Sequence, residues 1–254
     1  MKKQSTALFL TAVLLMGMWS CASSGKTTKV PKDALPLQAR EVLAAGDILI
    51  PAIEIISLLD KDISENAVWS IVEEVNSDPN LVLYWIDSMN QRVASLSKDS
   101  AIVNGSVVFA KYSLKRTALA MKKAARSGEA KKAAEEVEKD EDLILTEEEK
   151  QALSERKNEF STDERKELKN CFIYLACSTA ALVNVPIKGK EIIDQAASIV
   201  NNPSSLGASA LEVPKLVSQL KSIIDNTSNA VRETPDVVKN LAANIEILKA
   251  VLAE

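Results

Sequence analysis

Residues 168–183 read LKNCFIYLACSTAALV. On a helix, Leu168, Cys171, Phe172, Leu175, Ala176, Leu182 and Val183 fall on one stripe, and Ile173, Tyr174, Cys177, Ala180 and Ala181 cover much of the remainder. A helix that is apolar nearly all round has to be enclosed by neighbours, so this segment marks the core of a helical domain. Its most apolar part, Cys171–Val183, has 13 residues. That is short of the about 20 that a bilayer-spanning helix requires.

Immediately upstream the character changes. Residues 122–170 hold 12 Lys/Arg and 15 Asp/Glu, and both signs recur at helical spacing. Glu135/Lys139 is a favourable i,i+4 pair and Asp163/Glu167 an unfavourable one. Thr146-Glu-Glu-Glu149 and Ser161-Thr-Asp-Glu164 each have the form of a capping box, so helices should begin after Thr146 and Ser161. The segment reads as a solvated helical hairpin or linker, or as a docking arm for a charged partner. Downstream, three helices are expected at about 187–201, 205–229 and 235–253, separated at Asn201–Ser204 and Glu233–Asp236. Prolines 186, 214 and 235 are 28 and 21 apart, which defines no repeat.

Toward the N-terminus, residues 37–59 form a long apolar helical pattern that Pro51 should kink or split. Ser64–Asn76 places Ala67, Val68, Ile71, Val72 and Val75 on one face, with Ser64 as N-cap. After Asp78-Pro79-Asn80 a helical stretch over roughly 80–126 is expected, with breaks near Ser97–Ser100 or Gly105. Composition agrees with an all-α fold: 7 glycines and 8 prolines in 254 residues, with 4% aromatics. The fold expected is an irregular multi-helix bundle over 35–254.

Ahead of this body, Met1-Lys2-Lys3 is a short basic start, and Ala7–Met18 (ALFLTAVLLMGM) is a 12-residue apolar stretch, too short to span a bilayer. It runs into Met18-Trp19-Ser20-Cys21 and then into the small, polar stretch Ala22–Lys32. These residues resemble the lipobox of bacterial lipoprotein precursors. Ser20 fits the small position before the cysteine, and Cys21 fits the residue that receives the lipid. Met18 stands where leucine is usual, and Trp19 is bulky for its place. The resemblance implies a signal peptide over 1–20, a lipidated Cys21 opening a flexible tether over 21–34, and a cell-envelope protein anchored to the inner or outer membrane with its domain in the periplasm. It also implies that Ala22 is no inner-membrane retention signal of the enterobacterial kind. A tether of a dozen residues spans about 20 Å root-mean-square.

Charge and chemistry narrow the role. Without Lys2 and Lys3, 29 basic residues stand against 35 acidic ones, a net −6, and no basic stripe with interleaved aromatics is visible. Nucleic acid is therefore not an expected partner. The chain has no histidine, which removes Ser-His-Asp and Cys-His catalysis, His-ligated zinc and c-type haem attachment. No cofactor or metal is expected. Asp60-Lys-Asp62-Ile-Ser64 starts like a calcium loop, but Glu65 replaces the sixth-position glycine and Ile71 the twelfth-position glutamate. Cys171 and Cys177, about 9 Å apart along one helix, cannot pair and read as buried thiols. The glutamates lie in no recognisable glycosidase context. Trp69, Tyr84, Trp85, Phe109 and Tyr112 either line an apolar ligand cavity or belong to the core.

Two roles remain. One is a non-enzymatic, membrane-tethered interaction or scaffold protein contacting other envelope proteins. The other is an apolar or small-ligand binding module of an envelope transport system. The absence of a catalytic constellation favours the first.

Overall fold

A computed structural model describes residues 34–37, 49–57, 66, 68–70, 83–126 and 145–253. Helix dominates. The elements are β1 (Ala34–Leu37), α1 (Leu49–Ile56), β2 (Leu83–Ile86), α2 (Gln91–Ala125), α3 (Glu147–Arg156), α4 (Thr162–Leu182), α5 (Val185–Asn201), a 3-10 turn (Pro203–Leu206) and α6 (Val213–Leu252). The protein is an all-α multi-helix fold with one small two-stranded sheet.

Three long rods carry the architecture. Helix α2 extends about 52 Å and α6 about 60 Å at 1.5 Å per residue. They run side by side in the same direction. Ser88 bonds Gln219 at 3.2 Å, Ser100 meets Thr227 at 2.8 Å, and Lys111 pairs with Glu233 at 2.7 Å, so the two numberings rise together. Helices α4 and α5 return in the opposite sense. Ser178 Oγ lies 2.8 Å from Ser113 Oγ, and Ala181, Asn184 and Val185 lie beside Ile102, Val103 and Ser106. Pro186 explains the α4–α5 break, because it has no N–H to offer the Leu182 carbonyl.

Helix α6 does not stop at Pro235, contrary to the expectation of two helices there. Most of its buried residues fall in two rows of seven-residue spacing: Leu216, Ile223, Ala230, Val237, Asn244 and Val251 in one, and Leu220, Thr227, Thr234, Leu241 and Leu248 in the other, with Ile245 and Leu252 beside them near the C-terminus. Pro235 is exposed, and it leaves the Val231 carbonyl without its helical donor. Burial along both flanking stretches outweighs the about 3 kcal/mol that an interior proline costs.

Helix α2 is likewise unbroken at Ser97–Ser100 and Gly105. Ser97, Ser100 and Gly105 are buried. Ser97 Oγ accepts from the Ile86 amide and Ser100 Oγ meets Thr227 Oγ1, while Ser106 and Ser113 donate to the Ile102 and Phe109 carbonyls four residues back, at 3.2 and 3.0 Å. The expected helical start at about 80 is replaced by β2, which pairs antiparallel with β1 in the register Ala34↔Ile86 to Leu37↔Leu83. Helix α2 begins only at Asn90, whose side chain accepts from the Arg92 and Val93 amides.

Pro51 lies in the first turn of α1, where backbone N–H groups lack helical partners, so it starts a helix there. Residues 38–48, and most of the 64–76 segment with its Ser64 cap, lie outside the described residues. Both capping boxes form: Thr146 with Glu149 and Ser161 with Glu164. Helix α4 is buried over Cys171–Ser178 and Ala180–Leu182, as its all-round apolarity requires. Val183 is the exception. It lies past the helix end in the turn to α5 and is 62% exposed. Within the run Thr162–Asn201, one stretch is long and apolar enough to cross a membrane (mean hydropathy 1.5), yet 67% of it is buried inside the protein.

Candidate functional site

Cys21, the expected signal segment 1–20 and residues 22–33 of the expected tether lie outside the described residues, as does the charged stretch 127–144, while Ala34, expected to end the tether, opens β1. The described part of the charged segment is folded against the bundle. Leu145, Leu153 and Phe160 are buried, and Arg156 donates to the Ala124 carbonyl at the end of α2. Glu149, itself buried, accepts from Arg126 at 3.0 Å and from the Thr146 amide at 3.0 Å. Residues 145–170 therefore close the end of the bundle where α2 finishes.

The five aromatic residues read as lining a ligand cavity or belonging to the core do not form one site. Phe109 is buried with Ala52, Ile56, Val68, Ile173 and Tyr174, and Trp69 and Tyr112 pack on this cluster. Tyr112 meets Tyr174 edge to face at 6.5 Å, and the Arg116 guanidinium lies 4.5 Å over the Tyr174 ring. Trp85 belongs to a separate contact with Ala101 and Ile102, under the Lys98 ammonium at 5.7 Å. Tyr84, on the other face of β2, is 46% exposed. Three of the five thus share a packed cluster that joins α1, α2 and α4. One described crevice, between α2 and the α4–α5 turn, measures about 10 Å³ and is lined mainly by Ile102, Val103, Ala181 and Val185. It admits no more than a water molecule.

Cys171 and Cys177 are free, buried and unbridged. Burial pushes both thiols up to about 12; Arg116 and Thr117 pull Cys171 back in part. Neither forms a nucleophilic thiolate near neutral pH. Among the described residues, no cluster of three Cys, Asp or Glu side chains is arranged to hold a metal ion.

One surface feature was not anticipated. The turn before α2 and the loop before α6 meet at the same end of the bundle. Asn90 Nδ2 donates to the Leu206 carbonyl at 3.1 Å, Arg92 to the Ser205 carbonyl at 3.4 Å, and Ser88 to Gln219. Each segment projects one large apolar side chain into solvent: Met89 is 94% and Leu211 93% exposed. The sequence signal was present, since both are isolated hydrophobes set among turn formers, in Asp87-Ser-Met-Asn90 and Gly207-Ala-Ser-Ala-Leu-Glu212.

Comparison with protein families, with characterised proteins and with solved structures finds no match for this chain.

Proposed function

We propose that this chain is a membrane-tethered helical lipoprotein of the cell envelope, carrying its lipid on Cys21 and acting as a non-enzymatic interaction or scaffold protein. The observation that carries this reading is the run of basic start, 12-residue apolar stretch, Ser20-Cys21 and polar tether, which leads within a dozen residues to the first described strand at Ala34. The fold is compatible with a scaffold. Its rods are held by interior packing and by side-chain bonds between elements more than 100 residues apart, such as Ser100–Thr227 and Lys111–Glu233. A rigid body of that kind presents fixed surfaces. The lack of histidine is consistent with a role in binding.

The test is mass spectrometry of the protein isolated from membranes, together with Cys21→Ala. Acyl mass on an N-terminal Cys21 is expected. The Cys21→Ala chain should escape lipoprotein processing and leave the membrane fraction or accumulate as precursor. A Cys21→Ala chain that is processed and fractionates like wild type would refute the anchor. Hydrolysis of peptidoglycan by the purified protein, abolished by a single Glu→Gln change, would refute the non-enzymatic role.

A further inference from the structure

We propose that the end of the bundle bearing Met89 and Leu211 rests on the lipid bilayer, with these two side chains inserted at the headgroup boundary. The proposal builds on the lipid anchor at Cys21 and specifies which face of the domain the anchor brings to the membrane.

Ala34 is the first residue of β1, and its partner in the sheet is Ile86. Ile86 stands three residues before Met89, and its amide is fixed to the N-terminal part of α2 by a 2.9 Å bond to Ser97 Oγ. The chain therefore enters the domain beside the turn that carries Met89. Twelve residues separate Cys21 from Ala34. A segment of that length has a root-mean-square span of about 20 Å and a limit of about 45 Å when fully extended. From Ser97, where the entering strand is held, the opposite end of α2 at Ala125 is about 42 Å away at 1.5 Å per residue. Placing that end on the bilayer would draw the tether nearly straight, whereas the Met89–Leu211 end is reached with the tether relaxed.

Met89 and Leu211 are also the two most exposed large apolar side chains in the described structure, and both lie at this end. Isolated hydrophobes on loop tips insert into the headgroup boundary without unfolding anything, because each is already outside the core. The ionic side chains around them balance: Asp87 and Glu212 against Arg92 and Lys215. The contact is thus apolar in character, and salt or a higher fraction of anionic lipid should change it little.

The experiment uses the full lipidated chain in vesicles of phosphatidylethanolamine and phosphatidylglycerol. A polarity-sensitive fluorophore is attached at Leu211→Cys or, as the far-end control, at Glu148→Cys. With Cys21 acylated and Cys171 and Cys177 buried, only the introduced thiol reacts. A quencher carried on lipid near the headgroup should quench the label at 211 several-fold more than the label at 148. Adding Met89→Asp should reduce the quenching at 211 several-fold while leaving the helical circular dichroism unchanged. Equal quenching at both sites, or stronger quenching at 148, overturns the orientation. So does a label at 211 shielded from a water-borne quencher but untouched by the lipid-borne one, which would mean that a second copy of the chain covers this end. A protein with no acyl mass on Cys21 overturns the anchor, and the orientation with it. A lipidated protein with the wrong quenching pattern overturns the orientation alone.

Discussion

At Gly189 α5 lies close against α6, and Gly189→Ala tests that contact. A Cβ at position 189 would stand 2.3 Å from Val231 Cγ2 and 3.5 Å from Thr227 Cγ2. Carbon atoms pack at about 3.5–4.0 Å, so the first contact is short by more than about 1 Å. Val231 cannot swing aside cheaply, because a β-branched residue in a helix has one strongly preferred rotamer. The two helices must therefore separate locally, at an overpacking cost of about 1–3 kcal/mol. Against this stands the gain of about 1 kcal/mol for replacing glycine by alanine inside a helix. Overpacking wins by about 1 kcal/mol, and the melting temperature should fall by about 2–4 °C. Urea unfolding followed by far-ultraviolet circular dichroism measures the difference. The decisive comparison is the same substitution in a Val231→Ala background. There the obstructing methyl is gone, and Gly189→Ala should become stabilising by about 0.5–1 kcal/mol. A stabilising effect in the wild-type background, or the same effect in both, would refute the close approach of α5 and α6.

Three further outcomes are expected. Pro235→Ala should stabilise α6 by about 2 kcal/mol, since it restores a donor for the Val231 carbonyl and offsets this only partly by loosening the unfolded chain; a loss of stability in urea melts would show that the helix needs a bend there. Ser161→Ala should cost about 1 kcal/mol at neutral pH through loss of the N-cap of α4. The bonds from Ser161 hold the Glu164 carboxyl below its ordinary 4.5, so their contribution is present above that value and is lost as pH falls through the depressed one. The gap between variant and wild type should accordingly narrow on acidification below 4.5, and a gap that widens would contradict the assignment. Finally, thiols raised to about 12 leave about one thiolate in ten thousand at pH 8, so iodoacetamide should label Cys171 and Cys177 only in denaturant. Rapid labelling of the native protein would place one of them at an accessible site.

What could be read from the sequence followed from local rules. The capping boxes at Thr146 and Ser161 announce α3 and α4, because each satisfies its own helix end without help from elsewhere. The all-round apolarity of residues 171–182 required enclosure, and they are enclosed. The misreadings have one cause, which is that tertiary packing overrides local signals. Pro235 reads as a terminator, yet the seven-residue rows on both sides of it hold a single helix together, and that period was itself visible from Leu216 to Val251. Ser97, Ser100 and Gly105 read as breaks, but they are buried in the packed side of α2, with Ser97 bonded to Ile86 of β2 and Ser100 to Thr227 of α6. The two strands were missed because Leu83–Ile86 is four residues long and its partner lies about 50 positions away. For the aromatic residues, type was informative and grouping was not. Periodicity marks Phe109 and Tyr112 as one face of α2, but whether Trp69 or Trp85 joins them depends on how separate elements dock.

The adjacency of α2 and α6 also bears on how the chain reaches its fold. The bonds that join them connect residues 122–127 positions apart. Helix α2 is complete long before α6 exists, so its Ser100 and Lys111 face must wait for a partner made last. At synthesis rates of about 5–20 residues per second, a further hundred residues take about 5–20 s. Throughout that interval the hydroxyl-rich, small-residue face of α2 is left to water or to a chaperone, and the late arrival of residues 213–252 should be the slow step of folding. C-terminal truncations would then expose this face and turn a well-behaved chain into one prone to self-association.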